Sequence, residues 1–208
     1  MGKTDVAQPV LELKTEEGSQ ERFWPPAQGE WTYEDYLRLP DDGWRYEVIR
    51  GVLRVVPAPR EIHQRVSGGL FVALWSFVRD HQLGRVYEAP FEVILSDIAT
   101  PVQPDILFIS AERIEETITP QRVEGAPDLI VEILSPGNWL DDRREKFRVY
   151  EESGVREYWI VDPDGRVIEV FVLREGGYTL LGKWGSGEVA RSEVLVGFEV
   201  AVDELFAG

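Results

Sequence analysis

The chain contains no cysteine, which excludes disulfides, thiolate zinc sites and a thiol nucleophile together. Its only histidines are His63 and His81, too few for an imidazole-rich metal centre. A metal here must rest mainly on oxygen ligands, a donor set that favours magnesium, manganese or calcium. No apolar run approaches the roughly 20 residues of a membrane span, and the N-terminus lacks an apolar signal segment. The protein is therefore expected to be soluble, cytoplasmic and not exported, with no membrane partner. Basic residues are scarce: 22 Lys and Arg stand against 38 Asp and Glu, a formal net charge of −16. Neutralising phosphates takes Lys and Arg, so this balance counts against a nucleic-acid partner at long range while leaving room for a local basic groove. The stretch Arg143, Arg144, Lys146 and Arg148, interleaved with acids, is the best local candidate.

Apolar residues make up 43% of the 208, enough for one globular domain with a real core. Residues 1–29 are polar and end in Pro25-Pro26 and Gly29, which reads as an N-terminal tail or arm before a domain over 30–208. A short helix is predicted over Trp31–Leu39, with Thr32 as N-cap and Pro40 as its stop. Tyr46–Val56 reads as a hairpin around Arg50-Gly51. Ile62, Val66, Leu70, Ala73, Leu74, Phe77 and His81 recur every three or four residues, the period of a helix buried on one face. Its Gly68-Gly69 pair costs helix stability and allows close packing. Strands follow at Val86–Leu95 (interrupted at Pro90), Asp105–Ile109 and Asp128–Leu134, then a helix from Leu140 to Ser153. Glu157–Val161, a hairpin of Val167–Leu173 with Tyr178–Trp184, and a helix over Val202–Phe206 close the chain. Strands with embedded helices predict an α/β or α+β sandwich around a mixed sheet.

The segment DLIVEIL, residues 128–134, is apolar on both faces except at Glu132. A buried carboxylate is expensive unless paired or bound to a cation. Asp105, at the head of the apolar strand ILFI, raises the same question. Either acid alone is most simply a turn cap or half of an ion pair. On neighbouring strands the two would repel, and a divalent cation removes that conflict. Asp142, Lys146 and Tyr150, spaced by four, share one face of the following helix, and that face borders its apolar stripe. Lys146 then reads either as a lysine that snorkels to Asp142 or as a cation beside the carboxylates.

The ordered series RYEVIRG (45–51), IHQRV (62–66), QPDILFIS (103–110), EGAPDLIVEILSP (124–136), DRREKFRVYEESGVREYWIVDP (142–163) and GFEVAVDELF (197–206) resembles the Uma-two family. These are restriction-endonuclease-like proteins abundant in cyanobacteria and other bacteria, placed in the PD-(D/E)XK nuclease superfamily. The resemblance runs from about Trp31 to Phe206. It implies a restriction-endonuclease-like fold, a central mixed β-sheet flanked by helices, with the site where strands splay apart. Pro104-Asp105 matches the PD element and Glu132 the (D/E) element, but Leu134 stands where the superfamily has lysine. Side chains alternate along a strand, so Leu134 and Glu132 face the same way. The resemblance implies that Lys146 supplies the missing amine, with Asp142 in support. It further implies Asp105, Glu132 and Glu47 as ligands of Mg2+ or Mn2+, and His63 and Tyr150 as substrate contacts. The function implied is a metal-dependent nuclease hydrolysing phosphodiester bonds in DNA or RNA, a homodimer with C-terminal Trp and Tyr at its interface. The alternative is a catalytically inactive member of the fold that binds or regulates a partner, a reading that Leu134 and the charge of −16 favour.

Overall fold

The computed structural model describes residues 24–135 and 139–207, with side chains from 143 onward in the second stretch. In chain order the elements are α1 (Tyr33–Tyr36), β1 (Arg45–Ile49), β2 (Val52–Val56), α2 (Glu61–Asp80), β3 (Gly84–Glu88), β4 (Glu92–Leu95), β5 (Ala99–Val102) and β6 (Ile106–Ser110). There follow α3 (Ile114–Thr117), β7 (Arg122–Glu124), β8 (Leu129–Ile133), α4 (Trp139–Glu152), β9 (Glu157–Asp162), β10 (Val167–Arg174), β11 (Gly177–Trp184), β12 (Val189–Arg191), β13 (Glu199–Ala201) and α5 (Val202–Phe206). Among the described residues no helix is long and apolar enough to cross a membrane.

The central sheet has six strands in the order β11-β10-β9-β8-β6-β3. It is mixed: β8 runs parallel to β9 and antiparallel to β6. Alternation sorts β8 between two cores. Leu129, Val131 and Ile133 join the core made with Val66, Leu70, Leu74 and Val78 of α2 and with Val202, Leu205 and Phe206 of α5. Ile130 and Leu134 face the opposite core, made with the second sheet and with Val149 and Tyr150 of α4. That second sheet, β2-β1-β5-β4-β7, has no counterpart in the sequence reading. The apolar stretch from Val86 to Leu95 divides at Pro90, sending β3 to one sheet and β4 to the other.

The helix α2 carries the expected period, with His63, Val66, Leu70, Leu74 and Val78 buried. Gly69 is where it approaches α5: an added Cβ would sit 3.3 Å from Leu205 Cδ1. The entry to β8 is pinned by buried Asp128, which accepts the Ser110 amide at 2.8 Å and pairs with Arg113 and Arg156. Burial alone would raise the Asp128 carboxyl, but the amide and the two guanidinium groups outweigh it and hold the group below its ordinary value.

Residues 1–23 of the expected arm lie outside the described residues, and residues 24–29 touch the domain through Trp24, Gln28 and Gly29. Trp24 meets Trp31 edge-on at 5.4 Å, and the Arg38 guanidinium lies 4.3 Å from its ring centroid. Gln28 brackets Leu53, and the Gly29 amide donates to Gly51 O at 2.7 Å. Arg50 and Gly51, at φ 50° and 71°, form the tight turn between β1 and β2. A Cβ on Gly51 would fall 2.4 Å from Gly29 O, so the close approach requires glycine. Gln28 and Gly29 thus bond to the first hairpin. The Pro and Gly punctuation of this segment carries no period to signal packing. Trp24→Ala is expected to destabilise the protein by about 2 kcal/mol, measured by urea unfolding, with exposed Leu37→Ala near neutral as control.

Candidate active site at the splayed end of the central sheet

Pairing between β6 and β8 stops at Ile106 opposite Val131, and one further step would set Asp105 opposite Glu132. There β6 parts from β8, while β8 stays paired with β9 through Ile133 opposite Val161. The carboxylate of Asp105 takes over where the ladder ends: Oδ2 accepts the Ile133 amide at 2.8 Å. The same oxygen accepts from His63 Nε2 at 3.1 Å, across from the first turn of α2. Its Oδ1 takes no hydrogen bond among the described residues.

Glu132 faces the second sheet and α4, on the side of β8 that also carries Ile130. Lys146 Nζ lies 3.1 and 3.2 Å from its two oxygens, and the buried Tyr150 hydroxyl donates to Oε1 at 2.6 Å. Glu47 of β1, 2% exposed, joins them: its Oε1 accepts the Gln103 amide at 2.8 Å and its carboxylate also receives Lys146. The helix α4 is tied over the site by Arg54–Glu145 and Arg50–Glu152, both reaching the first hairpin.

Of the residues singled out in the sequence, Glu47, His63, Asp105, Glu132, Lys146 and Tyr150 thus converge. Three differ from the expected arrangement. Lys146 bridges Glu132 to Glu47, because α4 lies over the face of β8 that Glu132 shares with the second sheet. His63 reaches Asp105, and Tyr150 is fully buried with its hydroxyl committed to Glu132, so neither is laid open as a substrate contact. The Asp142 side chain lies outside the described residues. The sequence reading missed Gln103, whose amide fixes Glu47 and whose side chain lies buried against Tyr46 O and the Tyr36 hydroxyl. Its signal was alternation, since 103 and 105 share one side of an extended run.

Burial pushes the Glu132 carboxyl up to about 8; the charges of Asp105 and Glu47 add to this, while Lys146 and the Tyr150 hydroxyl pull it down. Burial and the same two glutamates raise the Tyr150 hydroxyl well above its usual range, so it remains a neutral donor. A carboxyl raised on folding holds a proton that the unfolded chain has already released. Its stabilising effect is complete below the ordinary glutamate range and is lost as pH rises toward about 8. Glu132→Gln is therefore expected to raise the melting temperature of the metal-free protein at pH 8.5 by about 3–6 °C, with the gain shrinking toward pH 5. Melts of both proteins across that range check the sign.

Among the described residues no three His, Asp or Glu side chains gather tightly enough to cage a metal unaided. The donor set still suits a hard divalent ion. Magnesium commonly takes one or two carboxylates and keeps several waters. Lys146 lies between the carboxylates of Glu132 and Glu47, and the Asp105 Oδ1 accepts no hydrogen bond among the described residues.

The chain matches, over residues 33–203, the model of the Uma2 family, described as "Putative restriction endonuclease". Its fold is similar to the crystal structure of a putative nuclease of the DUF820 group from Anabaena variabilis, at a TM-score of 0.69 and 20% identity, covering 84% of this chain and 97% of that one. No curated protein matches. The mixed six-stranded sheet between helical and sheet layers is thus the restriction-endonuclease-like fold, and the chain belongs to the Uma2 family.

Proposed function

We propose that the protein is a metal-dependent nuclease that hydrolyses phosphodiester bonds in DNA or RNA. The observation that carries this reading is the meeting of Asp105, Glu132 and Lys146 where β6 and β8 part, in a chain of this family. Asp105 and Glu132 would hold Mg2+ or Mn2+, with the Ile133 carbonyl as a further oxygen donor. A divalent ion there supplies an acidified water and polarises a phosphoryl oxygen. The chain's own groups do the rest. His63 and the Ile133 amide hold Asp105 in orientation, and the Tyr150 hydroxyl fixes Glu132. Lys146 is the ammonium that orients the attacking water or offsets charge gathering on the phosphate. Cytoplasmic residence and a homodimer complete the reading, the latter checked by sedimentation.

One observation favours the second reading, a non-catalytic partner-binding protein. Arg54 and Arg50 beside α4, and Arg143 on it, are each paired with an acid, which leaves these three less free for phosphates. Metal binding separates the two. At 100 times the dissociation constant, a ligand specific to the folded state adds about 2.7 kcal/mol, or roughly 5–10 °C for a chain of this size. Millimolar magnesium or manganese is expected to give a shift of that order, and Asp105→Asn to remove it. An unchanged melting temperature would favour the partner-binding reading.

A further inference from the structure

Lys146 is surrounded by more oxygens than one ammonium can bond. Its Nζ is 3.2 Å from each oxygen of Glu47 and 3.1 and 3.2 Å from those of Glu132. An ammonium has three donors, so four oxygens at almost one distance form an electrostatic cage more than a directed set of bonds. The group is also enclosed: the side chains of Lys146, Glu47 and Glu132 are 8%, 3% and 13% exposed.

Glu132 is one of the two carboxylates that an ion needs, and both of its oxygens face the lysine. A divalent ion and an ammonium sharing one carboxylate in an enclosed site repel strongly. Glu47 differs from Glu132 in how it is held. It sits on β1 in the other sheet, with Oε1 already fixed by the Gln103 amide at 2.8 Å, an anchored acceptor not free to swing toward Asp105. The lysine stem is a flexible four-carbon chain and can pivot with the backbone in place.

The geometry points to Lys146 as a resident cation that a divalent ion displaces from Glu132, with Glu47 as the seat that keeps the displaced lysine and not a ligand of the ion; this rests on the metal-dependent reading above. The charges then pair off without movement of either sheet. The ion is balanced by Asp105 and Glu132, and Lys146 by Glu47. Glu47 is accordingly a positioning residue, acting on the metal through the lysine.

Calorimetric titration of the metal-free protein with magnesium and with manganese tests this, at alkaline pH so that the carboxylates are ionised in every variant. Lys146→Met is expected to bind either ion about tenfold or more tightly than the unsubstituted protein, and Glu47→Gln about tenfold more weakly, since it loosens the seat that keeps the displaced lysine. In the Lys146→Met background, Glu47→Gln should change affinity by less than about threefold, because the seat has no occupant. Unchanged or weaker binding by Lys146→Met overturns the proposal. So does an equal loss from Glu47→Gln in both backgrounds, which would make Glu47 a ligand. Binding by neither the unsubstituted protein nor Lys146→Met removes the metal reading and this one with it. Binding by the first with no gain in the second removes this one alone. Should Lys146→Met fail to fold by circular dichroism, Lys146→Gln takes its place. Should both fail, the ammonium 15N signal of Lys146, one of four lysines, must move on saturation with magnesium; a signal that stays in place overturns the proposal.

Discussion

Asp105→Asn is expected to lower magnesium-dependent cleavage by at least about a thousandfold. Metal-ion catalysis supplies several kcal/mol of charge stabilisation, and about 4 kcal/mol corresponds to that factor. The amide is chosen because Asp105 has two jobs. Its Oδ2 accepts the Ile133 amide and His63 Nε2, so Asp105→Ala would also leave a buried N–H without a partner, at a cost of about 1–3 kcal/mol. Asp105→Asn keeps an oxygen for that amide and removes only the charge that a cation needs. Melting curves of the metal-free variant should therefore stay close to the parent while cleavage collapses. Loss of fold along with activity would assign Asp105 to structure.

On the proposed mechanism Lys146→Ala is expected to lower cleavage by about a hundredfold to ten thousandfold without weakening metal binding, because it would remove a group acting in the transition state and not a ligand. Leu134 makes the test sharper. It faces the core shared by the second sheet and α4, on the same side of β8 as Glu132 and two residues on. A lysine at 134 would start two residues on from Glu132, on the same side of the strand. Leu134→Lys combined with Lys146→Ala should therefore recover at least about tenfold of the lost rate. Full activity in Lys146→Ala would reject the lysine's role, and a double variant no better than Lys146→Ala would reject the shared slot.

Long periodic elements were legible in the sequence and short ones were not. Five buried positions of the 20-residue α2, His63 to Val78, repeat every three or four residues, which no strand pattern imitates. The strands β5, β7, β12 and β13 are three or four residues long, and β5 includes Pro101, so no window of alternation exists to find them. Without them the second sheet cannot be inferred, because β1 and β2 alone read as a free hairpin. Glu132 could be found because it breaks an apolar strand, and Lys146 because it lies four residues from Tyr150 on a face bordering the apolar stripe. What the sequence withheld was that Lys146 also pairs with Glu47. Glu47 lies 99 residues away, and only the second sheet brings it under α4. The packing of Trp24 was hidden for a similar reason, since its contacts are to Trp31 and Arg38 across proline and glycine turns with no period.

The most direct measurement incubates the full chain with single-stranded, double-stranded and branched DNA and RNA, in magnesium, in manganese and in chelator, beside Asp105→Asn purified identically. Metal-dependent cleavage of at least one substrate that is absent in chelator and in Asp105→Asn is the predicted result. Cleavage that survives Asp105→Asn, or no cleavage of any substrate by a protein that binds the metal, would contradict the account.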